Sequence, residues 1–532
     1  MKATYIDYKD TNSFSSTVLA YLEQDPKLEP FISYFPSVEN FGQIMKAKKV
    51  AADRSALAEV LEDQYANLGT EIHAKVLQNI ELLRQENTFT ITTGHQLNIF
   101  TGPLYFIYKI VSAINLAKEL GEAYPDKKFV PVYWMATEDH DFEEINHTKI
   151  QGKKISWDTV AKGATGRLST ESIQDAVREY QKILGLSENS SRLCEIIEEA
   201  YLKQRCLADA TRCLVNALFD EYGLLIVDAD ERRLKRQFTT IIQQDIIEQR
   251  SFTNISETSK ALEQAGYSTQ VNAREINFFY LEENLRERIV FEGNRYRVLN
   301  TEISFSDEEL KAEIEMYPER FSPNVIMRPM YQEVILPNLA YIGGGAEVVY
   351  WLQLKKNFDE LGVEFPILIL RNSALVTTEA LTKRAERIGI SLPDLFKNTS
   401  QLKKEWVLAH SSHTLSLAEE EAKVDAIFEE LKTRVTKIDP TLGPSTEAVR
   451  SRLHRAIANL EAKLLKAEKR NHNDALNKIE SLRAKYFPNE GLQERSENFA
   501  LFYVKYGETL IAELVKSFHP LAPQFTILEP EI

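Results

Sequence analysis

The sequence predicts an α/β protein whose parallel-sheet core is split by an inserted region and followed by an α-helical antiparallel coiled-coil arm. The sheet is predicted by two separate stretches, residues 88–136 and 339–370, in which apolar strand-like runs alternate with helix-like patterns. The arm is predicted by residues 415–485, which are rich in Glu, Lys, Ala and Leu and carry apolar residues at heptad-compatible spacing. At 532 residues the chain is long enough for about three or four structural units.

Composition and charge exclude several classes of protein. With 43% hydrophobic and 27% charged residues, the chain is neither collagen-like nor largely disordered. Its 64 Lys and Arg against 79 Asp and Glu give a net charge of −15, which provides no general attraction to nucleic acid or anionic membranes. No run approaches the roughly 18 apolar residues of a membrane helix, and acidic residues replace the apolar stretch of a signal peptide. We therefore expect a cytoplasmic protein with no nucleic-acid or membrane partner.

Shifts in pattern divide the chain into six segments. The predicted segments are an N-terminal helical region (1–86), the first half of the core (87–150), an inserted α/β connecting region (151–323), the second half of the core (324–400), a coiled-coil hairpin (401–488) and a C-terminal helix and tail (489–532). The core is therefore expected to form from two halves that are distant in the chain.

The first half of the core has the pattern strand, helix, strand. Residues 88–93 are apolar and β-branched, which favours a buried strand, and residues 129–136 form a second apolar run. Between them, Thr101 is expected to cap a helix that carries Pro103 near its first position and runs on to about residue 120. A helix between two parallel strands gives a right-handed βαβ unit, so the pattern predicts the start of a parallel sheet.

The later segments continue this alternation and then become helical. In the insertion, helices are predicted around residues 171–185, 191–219 and 231–265, and strands around 223–228, 276–280 and 289–291. The second half of the core is predicted as a strand (339–342), a glycine turn (343–345), a helix (346–361) and a buried strand (365–370), and a last helix spans 498–518. In the arm, heptad spacing over 424–438 and 453–467 predicts two antiparallel helices, which either join two copies of the chain or brace their own.

Polar residues follow the first predicted strand at the point where it ends. They are Gly94, His95 and Gln96, with Thr101 and Gly102 before the next helix. In an open parallel sheet, ligands bind beyond the carboxyl ends of the strands, close to helix N-termini. A histidine at that place can hydrogen-bond a phosphate or a developing anion, or it can be a loop histidine that satisfies backbone groups.

The second predicted strand ends in a dense acidic segment. Residues 137–147 hold five carboxylates and two histidines, which would repel one another without a ligand or counter-ion. They can bind a divalent metal, hold a substrate ammonium or supply a general base, and a solvated acidic loop is the remaining alternative. The candidates for catalysis are Glu138, Asp139, His140 and Asp141, and the candidate metal ligands are Asp139, His140 and His147.

A glycine turn marks the second half of the core. Gly343 and Gly344 permit close approach of a ligand to the backbone, and Glu347 can bind a ribose hydroxyl. Val348 stands where a dinucleotide-binding fingerprint requires its third glycine, and no P-loop motif occurs, so neither an ordinary NAD site nor a P-loop ATPase is predicted. Trp351 on the same helix is either a binding residue or part of the core.

Two more polar sets are expected at the same edge of the sheet. They are Arg371, Asn372 and Ser373 after the next strand, and Arg328, Tyr331 and Gln332 before an apolar segment. Both sets contain an arginine, which can bind phosphate or carboxylate.

Taken in order, these segments resemble a known family, the bacillithiol-biosynthesis cysteine-adding enzymes (BshC, cysteine ligases). The matching segments are residues 93–96, 101–103, 134, 138–141, 146–147, 328–329, 331–332, 341–344, 347, 350–351 and 371–373. The coiled-coil hairpin and residues 493–495 extend the likeness to essentially the whole chain.

The resemblance implies a Rossmann-like core with connecting insertions and a coiled-coil arm that forms a homodimer. The implied reaction joins the carboxylate of L-cysteine to the amine of glucosaminyl-malate and gives bacillithiol. ATP or ADP is the implied cofactor, with ATP activating the carboxyl group, while Mg²⁺ and Zn²⁺ are further candidates. The segment 94–96 is only loosely similar to the HIGH signature of class I aminoacyl-tRNA synthetases, and no clear KMSKS motif occurs, so adenylate and acyl-phosphate routes both stay open.

The resemblance also implies roles for the candidate residues. Gly94, His95 and the helix after Gly102 would cradle phosphate, and Gln96 and Thr101 belong to the same nucleotide- or substrate-binding set. Glu138, Asp139 or Asp141 would hold the cysteine ammonium or deprotonate the sugar amine, and Asn146 and His147 would line the same pocket. The turn 343–347 would take ribose or the sugar-malate, and Arg371 or Arg328 would bind a carboxylate or phosphate. The alternatives are another nucleotide-dependent amino-acid ligase or nucleotidyltransferase, or a scaffold protein that binds a nucleotide without catalysis.

Overall fold

A computed structural model describes residues 1–49 and 52–530. These residues form two compact units, the first of residues 1–376 and 491–528 and the second of residues 377–490 with the C-terminal residues from 529. The six predicted segments are finer than this division and stay a prediction.

Among the described residues, the first unit is built around a five-stranded parallel sheet. Its strands are β1 (Thr88–His95), β2 (Lys128–Met135), β3 (Leu225–Asp228), β4 (Asn338–Gly343) and β5 (Ile367–Leu370), in the spatial order β5–β4–β1–β2–β3. Neighbouring strands are parallel throughout. The strand order reverses between β1 and β4, as in doubly wound sheets. The Rossmann-like core is thereby confirmed, and its edge strand β3 comes from within the predicted insertion.

Helices cover the sheet, and its strands carry apolar residues on both faces because both faces are buried. Helix α1 (Tyr105–Ala123) links β1 to β2, and helix α2 (Gly345–Leu352) follows β4. Ile91 of β1, Leu116 of α1, Ile342 of β4 and Ile369 of β5 belong to one buried cluster. Burial of this kind explains why the strands read as continuous apolar runs rather than as alternating ones.

The remaining elements surround this core. The other helices of the first unit are Ser16–Leu22, Val38–Ala47, Arg54–Ala66, Ala74–Leu83, Phe142–Ile145, Gln174–Leu184, Glu188–Lys203, Leu207–Phe219, Arg232–Lys235, Thr239–Glu248, Arg250–Gln264, Asp307–Met316, Arg328–Ile335, Lys355–Leu361, Ala500–Tyr506 and Thr509–Ser517. The other strands are Lys2–Asp7, His147–Ile150, Lys153–Ser156, Phe278–Glu282, Leu285–Glu292, Arg295–Val298, Ser304–Phe305, Phe321–Pro323, Ala374–Val376 and Gln524–Glu529. No helix in the described part of the chain has the length and apolar character needed to cross a membrane.

Several predicted helices differ from the observed ones. Thr101 does not cap α1, because it lies in a short 3₁₀ turn with a positive φ of 69° and α1 begins at Tyr105 without a side-chain cap. The helix predicted at 191–219 is two helices, and the one at 231–265 is broken at Gln249, whose φ is 53°. The last helix is interrupted at Gly507, where φ is 59°. A single left-handed residue ends a helix whatever the apolar pattern beyond it.

The second unit contains the predicted coiled-coil hairpin. Its helices are Glu379–Ile388, Thr399–His410, Ala418–Ile438, Leu442–Asn471 and Asn473–Tyr486. The two longest pack on each other, and Arg450 joins them through bonds to Asp425 and Glu429, each at 2.7 Å. The antiparallel helical hairpin is therefore confirmed.

Candidate active site

A cavity of about 840 Å³ opens at the carboxyl ends of β1, β2 and β4. It lies where the strand order reverses, the usual ligand site of such sheets, and its size suits small-molecule ligands. The predicted site residues on its wall are Gly94, His95, Gln96, Glu138, Asp139, His140, Arg328, Gly344, Glu347 and Arg371. The structure thus brings together residues from both halves of the core.

His95 ends β1 and packs against α1. Its ring lies 5.3 Å from the ring of Tyr105 and 5.2 Å from that of Phe106, measured between centroids. Within the described residues its buried Nε2 atom has no hydrogen-bond partner. Burial and the nearby charge of Lys109 lower the pKa of the imidazole to about 3, so the ring is neutral at pH 7. A neutral ring can donate one hydrogen bond and accept another.

Glu347, in the first turn of α2, is held by three donors. Its Oε1 accepts from the Tyr341 hydroxyl at 2.7 Å, and its Oε2 accepts from Lys109 at 2.6 Å and from the Gly344 amide at 2.8 Å. Lys109 also donates to the Gly94 carbonyl, so a buried lysine ties the end of β1 to the start of α2. Burial alone would raise the pKa of Glu347, but Lys109 and the other donors lower it to about 2.

The acidic segment after β2 is ordered around Asp139. Its Oδ2 accepts from Gln96 at 3.0 Å, and its Oδ1 accepts from the amides of His140 at 2.7 Å and Asp141 at 3.3 Å. Arg286 lies beside it, with Nη1 donating to His140 Nδ1 at 2.6 Å. Burial would raise the pKa of Asp139, but these hydrogen bonds and Arg286 lower it below the usual range.

The candidate metal ligands do not come together as a site. In the parts of the chain that the structure describes, no group of three or more His, Cys, Asp or Glu side chains could hold a metal ion. The Nδ1 atom of His140 already accepts from Arg286, and His147 lies off the cavity with its Nδ1 at 3.1 Å from Asn146 Oδ1. Asp139, His140 and His147 therefore do not fit a zinc centre.

Glu138 occupies a different environment from its neighbour Asp139. Its Oε1 atom lies 2.5 Å from Nζ of Lys235, a side chain that is fully buried behind the cavity wall. Lys235 also donates to the Phe321 carbonyl at 2.9 Å and lies 4.8 Å from the ring centroid of Tyr331. Burial raises the pKa of Glu138, and Lys235 opposes that rise.

The two predicted arginines differ in how their charge is met. Arg371 is paired, because its Nη2 lies 2.6 Å from Glu494 and its Nη1 donates to Ser373 at 2.9 Å. Arg328 donates through Nη1 to Gln332 at 3.0 Å, while its buried Nη2 has no partner in the described chain. Arg371 also keeps a buried Nε without a partner in the described chain, but Glu494 already meets its charge, so Arg328 is the better placed of the two to receive an anion.

Other predicted residues lie outside the cavity lining. They are Thr101, Gly102, Asp141, Asn146, His147, Tyr331, Gln332, Gly343, Trp351, Asn372 and Ser373. Gln332 and Ser373 bind the arginines, and Asp141 caps the helix Phe142–Ile145. Trp351 is fully buried and stacks on Tyr341 at 4.6 Å, so the structure favours the core alternative for it.

Comparison with known proteins covers the whole chain. Residues 1–372 match the model "Bacillithiol biosynthesis BshC, N-terminal Rossmann-like domain", and residues 374–530 match "Bacillithiol biosynthesis BshC, C-terminal coiled-coil domain". The chain belongs to the BshC family. Relatives named "Putative cysteine ligase BshC" include those of Flavobacterium psychrophilum, 46% identical over 99% of this chain and 100% of the relative, and Flavobacterium johnsoniae, 45% identical over the same shares. The relative from Christiangramia forsetii is 43% identical over 99% of each chain.

A solved structure adds nothing to this assignment. It is titled as a crystal structure of a putative arginyl t-RNA synthetase from Campylobacter jejuni, and it covers 87% of this chain and 96% of its own at 11% identity. Its TM-score of 0.21 is too low for any inference about fold or ligand.

The BshC cavity also has residues that were not among the predicted site residues. These are chiefly Tyr105, Lys109, Arg286, Tyr341, Tyr350 and Arg495. Lys109 could have been found, because it is the only charged residue in the apolar run 104–117. Arg286 gave no local signal, since it reaches the cavity from the strand Leu285–Glu292 of the inserted region, whereas Arg495 lies in the segment 493–495 that the family resemblance already included.

The two helix starts differ in their fit to a nucleotide phosphate. Gly344, Gly345 and Ala346 line the cavity at the start of α2, where the Gly344 amide donates to Glu347 while the next amides have no carbonyl of the helix to bond. At α1, the Leu104 amide donates to the Glu497 carbonyl at 2.8 Å, and the preceding turn lies off the cavity. The start of α2 therefore fits an anion better than the start of α1.

Proposed function

We propose that this BshC protein is a ligase that joins the carboxyl group of L-cysteine to the amine of glucosaminyl-malate and so forms bacillithiol. The observation that carries the proposal is the match of the whole chain to the family, with relatives named as cysteine ligases. The cavity where the strand order reverses supports the proposal, because cationic side chains, carboxylates and helix amides lie together on its wall.

Carboxyl activation requires a good leaving group, and we infer that ATP supplies it. The amides at the start of α2 and the unpaired Nη2 of Arg328 are suited to anionic groups of the nucleotide or the substrates. Mg²⁺ would enter with the phosphates, as it does where few protein ligands are present. The residues support adenylate and acyl-phosphate routes equally.

Each substrate has a charged group that the cavity can recognise. The carboxylates of the malate moiety suit Arg328, whose guanidinium lies against the rings of Tyr341 and Trp134 at 5.4 and 5.9 Å. The ammonium of cysteine suits Asp139, whose low pKa keeps it ionised. Cysteine bound to Asp139 through its ammonium group would place its carboxyl group toward His95 and the start of α2.

His95 provides the first test of this site. We expect His95→Ala to lower kcat for bacillithiol formation by about 100-fold or more, because the neutral ring can stabilise developing charge on the activated carboxyl. Circular dichroism and the melting temperature should stay close to those of the native protein. His73→Ala, at an exposed helix cap, is the matched control, and full activity in His95→Ala would contradict the proposed site.

The function itself is tested by synthesis and by genetics. Purified protein with L-cysteine, glucosaminyl-malate, ATP and Mg²⁺ should yield bacillithiol by mass spectrometry, and L-serine should not replace cysteine. A strain without the gene should lose bacillithiol and accumulate glucosaminyl-malate. Activity with another amino acid would support a different ligase. Unchanged bacillithiol levels in a strain whose only copy of the gene carries substitutions in the cavity would support the alternative of a scaffold protein.

We further propose that the chain works as a homodimer through its coiled-coil hairpin. Ile427, Leu453 and Leu460 of the hairpin are 56%, 39% and 51% exposed, although their heptad spacing is that of a packed seam. Exposed apolar residues in register along a helix are typical of a surface that a second helix covers.

A further inference from the structure

Amide formation in the proposed ligase needs a base that is placed in the cavity. The amine of the sugar substrate is protonated at neutral pH and attacks a carbonyl carbon only after losing a proton. A suitable base is a cavity group with a free oxygen or nitrogen atom that the protein does not already saturate. The inference below rests on the proposed function.

Two of the four cavity carboxylates are already saturated. Both oxygens of Asp139 accept hydrogen bonds, as do both oxygens of Glu347. Their pKa values are low, which suits binding rather than proton removal. The Oε2 atom of Glu144 accepts from Gln96 at 2.7 Å and its Oε1 has no partner among the described residues, but the side chain is exposed to solvent at the rim.

Glu138 is the remaining cavity carboxylate, and it meets the requirement. Its side chain is 12% exposed and lines the cavity, and among the described residues only its Oε1 has a partner, Lys235. Lys235 is itself fully buried and does not line the cavity, so it orients Glu138 without competing for a substrate. The Phe321 carbonyl and the Tyr331 ring fix the lysine in turn.

We propose that Glu138 is the general base for the amine nucleophile and that Lys235 is its positioning residue. Glu138 takes one proton from the substrate ammonium, and the freed nitrogen lone pair attacks the activated cysteine carbonyl. The new C–N bond forms as the C–O bond to the phosphate-bearing leaving group breaks, and that group departs with the electron pair. The second proton lost by the nitrogen passes to the leaving group or to water.

The charged surroundings are consistent with this role. The titratable and charged groups that act on Glu138 or feel its charge are Lys235, Arg286, Arg167, Asp230 and Tyr331. Burial raises the pKa of Glu138 most, while Lys235 opposes the rise. A carboxylate with a pKa moved toward neutrality is a stronger base than an exposed one.

The test compares two nucleophiles in one variant. Hydroxylamine is largely unprotonated at neutral pH, so its reaction with activated cysteine needs no base. We expect Glu138→Gln to lower bacillithiol formation by at least about 100-fold while cysteine hydroxamate forms within about threefold of the native rate. Hydroxamate formation also shows that the variant is folded and activates cysteine by either route.

The controls make each outcome decisive. Glu143→Gln, at an exposed carboxylate of the same segment that does not line the cavity, should keep both activities. Loss of both activities in Glu138→Gln, or of neither, would overturn the assignment of the base. If the native protein forms hydroxamate but no bacillithiol, the result contradicts the proposed function rather than the assignment of the base.

Lys235 is tested by the pH dependence of the reaction. In Lys235→Met the pKa of Glu138 should rise, so the acidic limb of kcat/KM should move to higher pH while the hydroxamate rate stays unchanged. Lys235→Arg should restore the native profile. An acidic limb that stays in place in Lys235→Met would show that the lysine has only a structural role.

Discussion

At the scale of single residues, the charge of Lys109 decides the state of Glu347. Their atoms lie 2.6 Å apart, with the Lys109 side chain buried and that of Glu347 26% exposed, and loss of one partner of a fully buried pair costs about 3–5 kcal/mol. We expect Lys109→Met to lower the free energy of unfolding by about 3 kcal/mol at pH 7. Urea titration of the native protein and the variant measures the difference.

The pH dependence of that difference has a definite sign. In the native protein the pKa of Glu347 is about 2, so its stabilising contribution is present above the unfolded pKa of about 4.3 and is lost as pH falls toward 2. Without Lys109, burial raises that pKa, and protonation at lower pH removes the unpaired charge. Lys109→Met should therefore be less destabilising at pH 5 than at pH 7. Equal destabilisation at both values would contradict the pairing, and adding Glu347→Gln should recover part of the loss.

At the scale of elements, the turn between β1 and α1 depends on one amide. Phe100, Thr101 and Gly102 all have positive φ, and Asn498 Nδ2 donates to the carbonyls of Phe100 and Gly102, each at 2.7 Å. Buried carbonyls left without donors cost about 1–3 kcal/mol each. We expect Asn498→Ala to lower stability by about 3 kcal/mol and to reduce activity with both nucleophiles, measured by thermal melting and by the two assays.

The matched control for this turn is Asn87→Ala. The hydrogen bond that the half-buried Asn87 side chain donates to the Asp126 carbonyl, at 3.1 Å, is exposed to solvent, so its loss should change stability by less than about 0.5 kcal/mol. A melting temperature for Asn498→Ala close to that of Asn87→Ala would show that the turn keeps its conformation without the hydrogen bonds from Asn498.

The same turn shows what the sequence could and could not predict. Strands β1 and β4 were predictable within a few residues, because burial on both faces leaves a continuous apolar run. The location of the polar residues that follow these strands was predictable too, since the carboxyl ends of parallel strands lie at the same edge of the sheet. The start of α1 was not predictable, because Thr101 and Pro103 look like a cap, whereas the true conformation is imposed by Asn498 from the far end of the chain. Tertiary contacts of that kind leave no local pattern.

At the scale of the whole molecule, the two units do not coincide with the family's two domain models, because residues 491–528 belong to the first unit but lie in the coiled-coil match. Residues 1–372 match the Rossmann-like model and line most of the cavity, while residues 374–530 match the coiled-coil model and contribute Arg495 to its wall. The exposed apolar residues of the hairpin have no use in an isolated chain, because exposing them to water is unfavourable. The proposed dimer would cover them with the hairpin of a second copy.

Sedimentation tests the dimer. We expect the native protein to sediment at twice the chain mass of 61.0 kDa and the triple variant Ile427→Lys, Leu453→Lys and Leu460→Lys to sediment as a monomer, because three charges in an apolar seam are costly to bury. Leu186→Lys, at a fully exposed leucine outside the hairpin, is the control and should stay dimeric. A native protein that sediments at 61.0 kDa at micromolar concentration would contradict the dimer and favour a hairpin that braces its own chain. The rate of hydroxamate formation by the triple variant would then show whether the cavity is active independently of the hairpin.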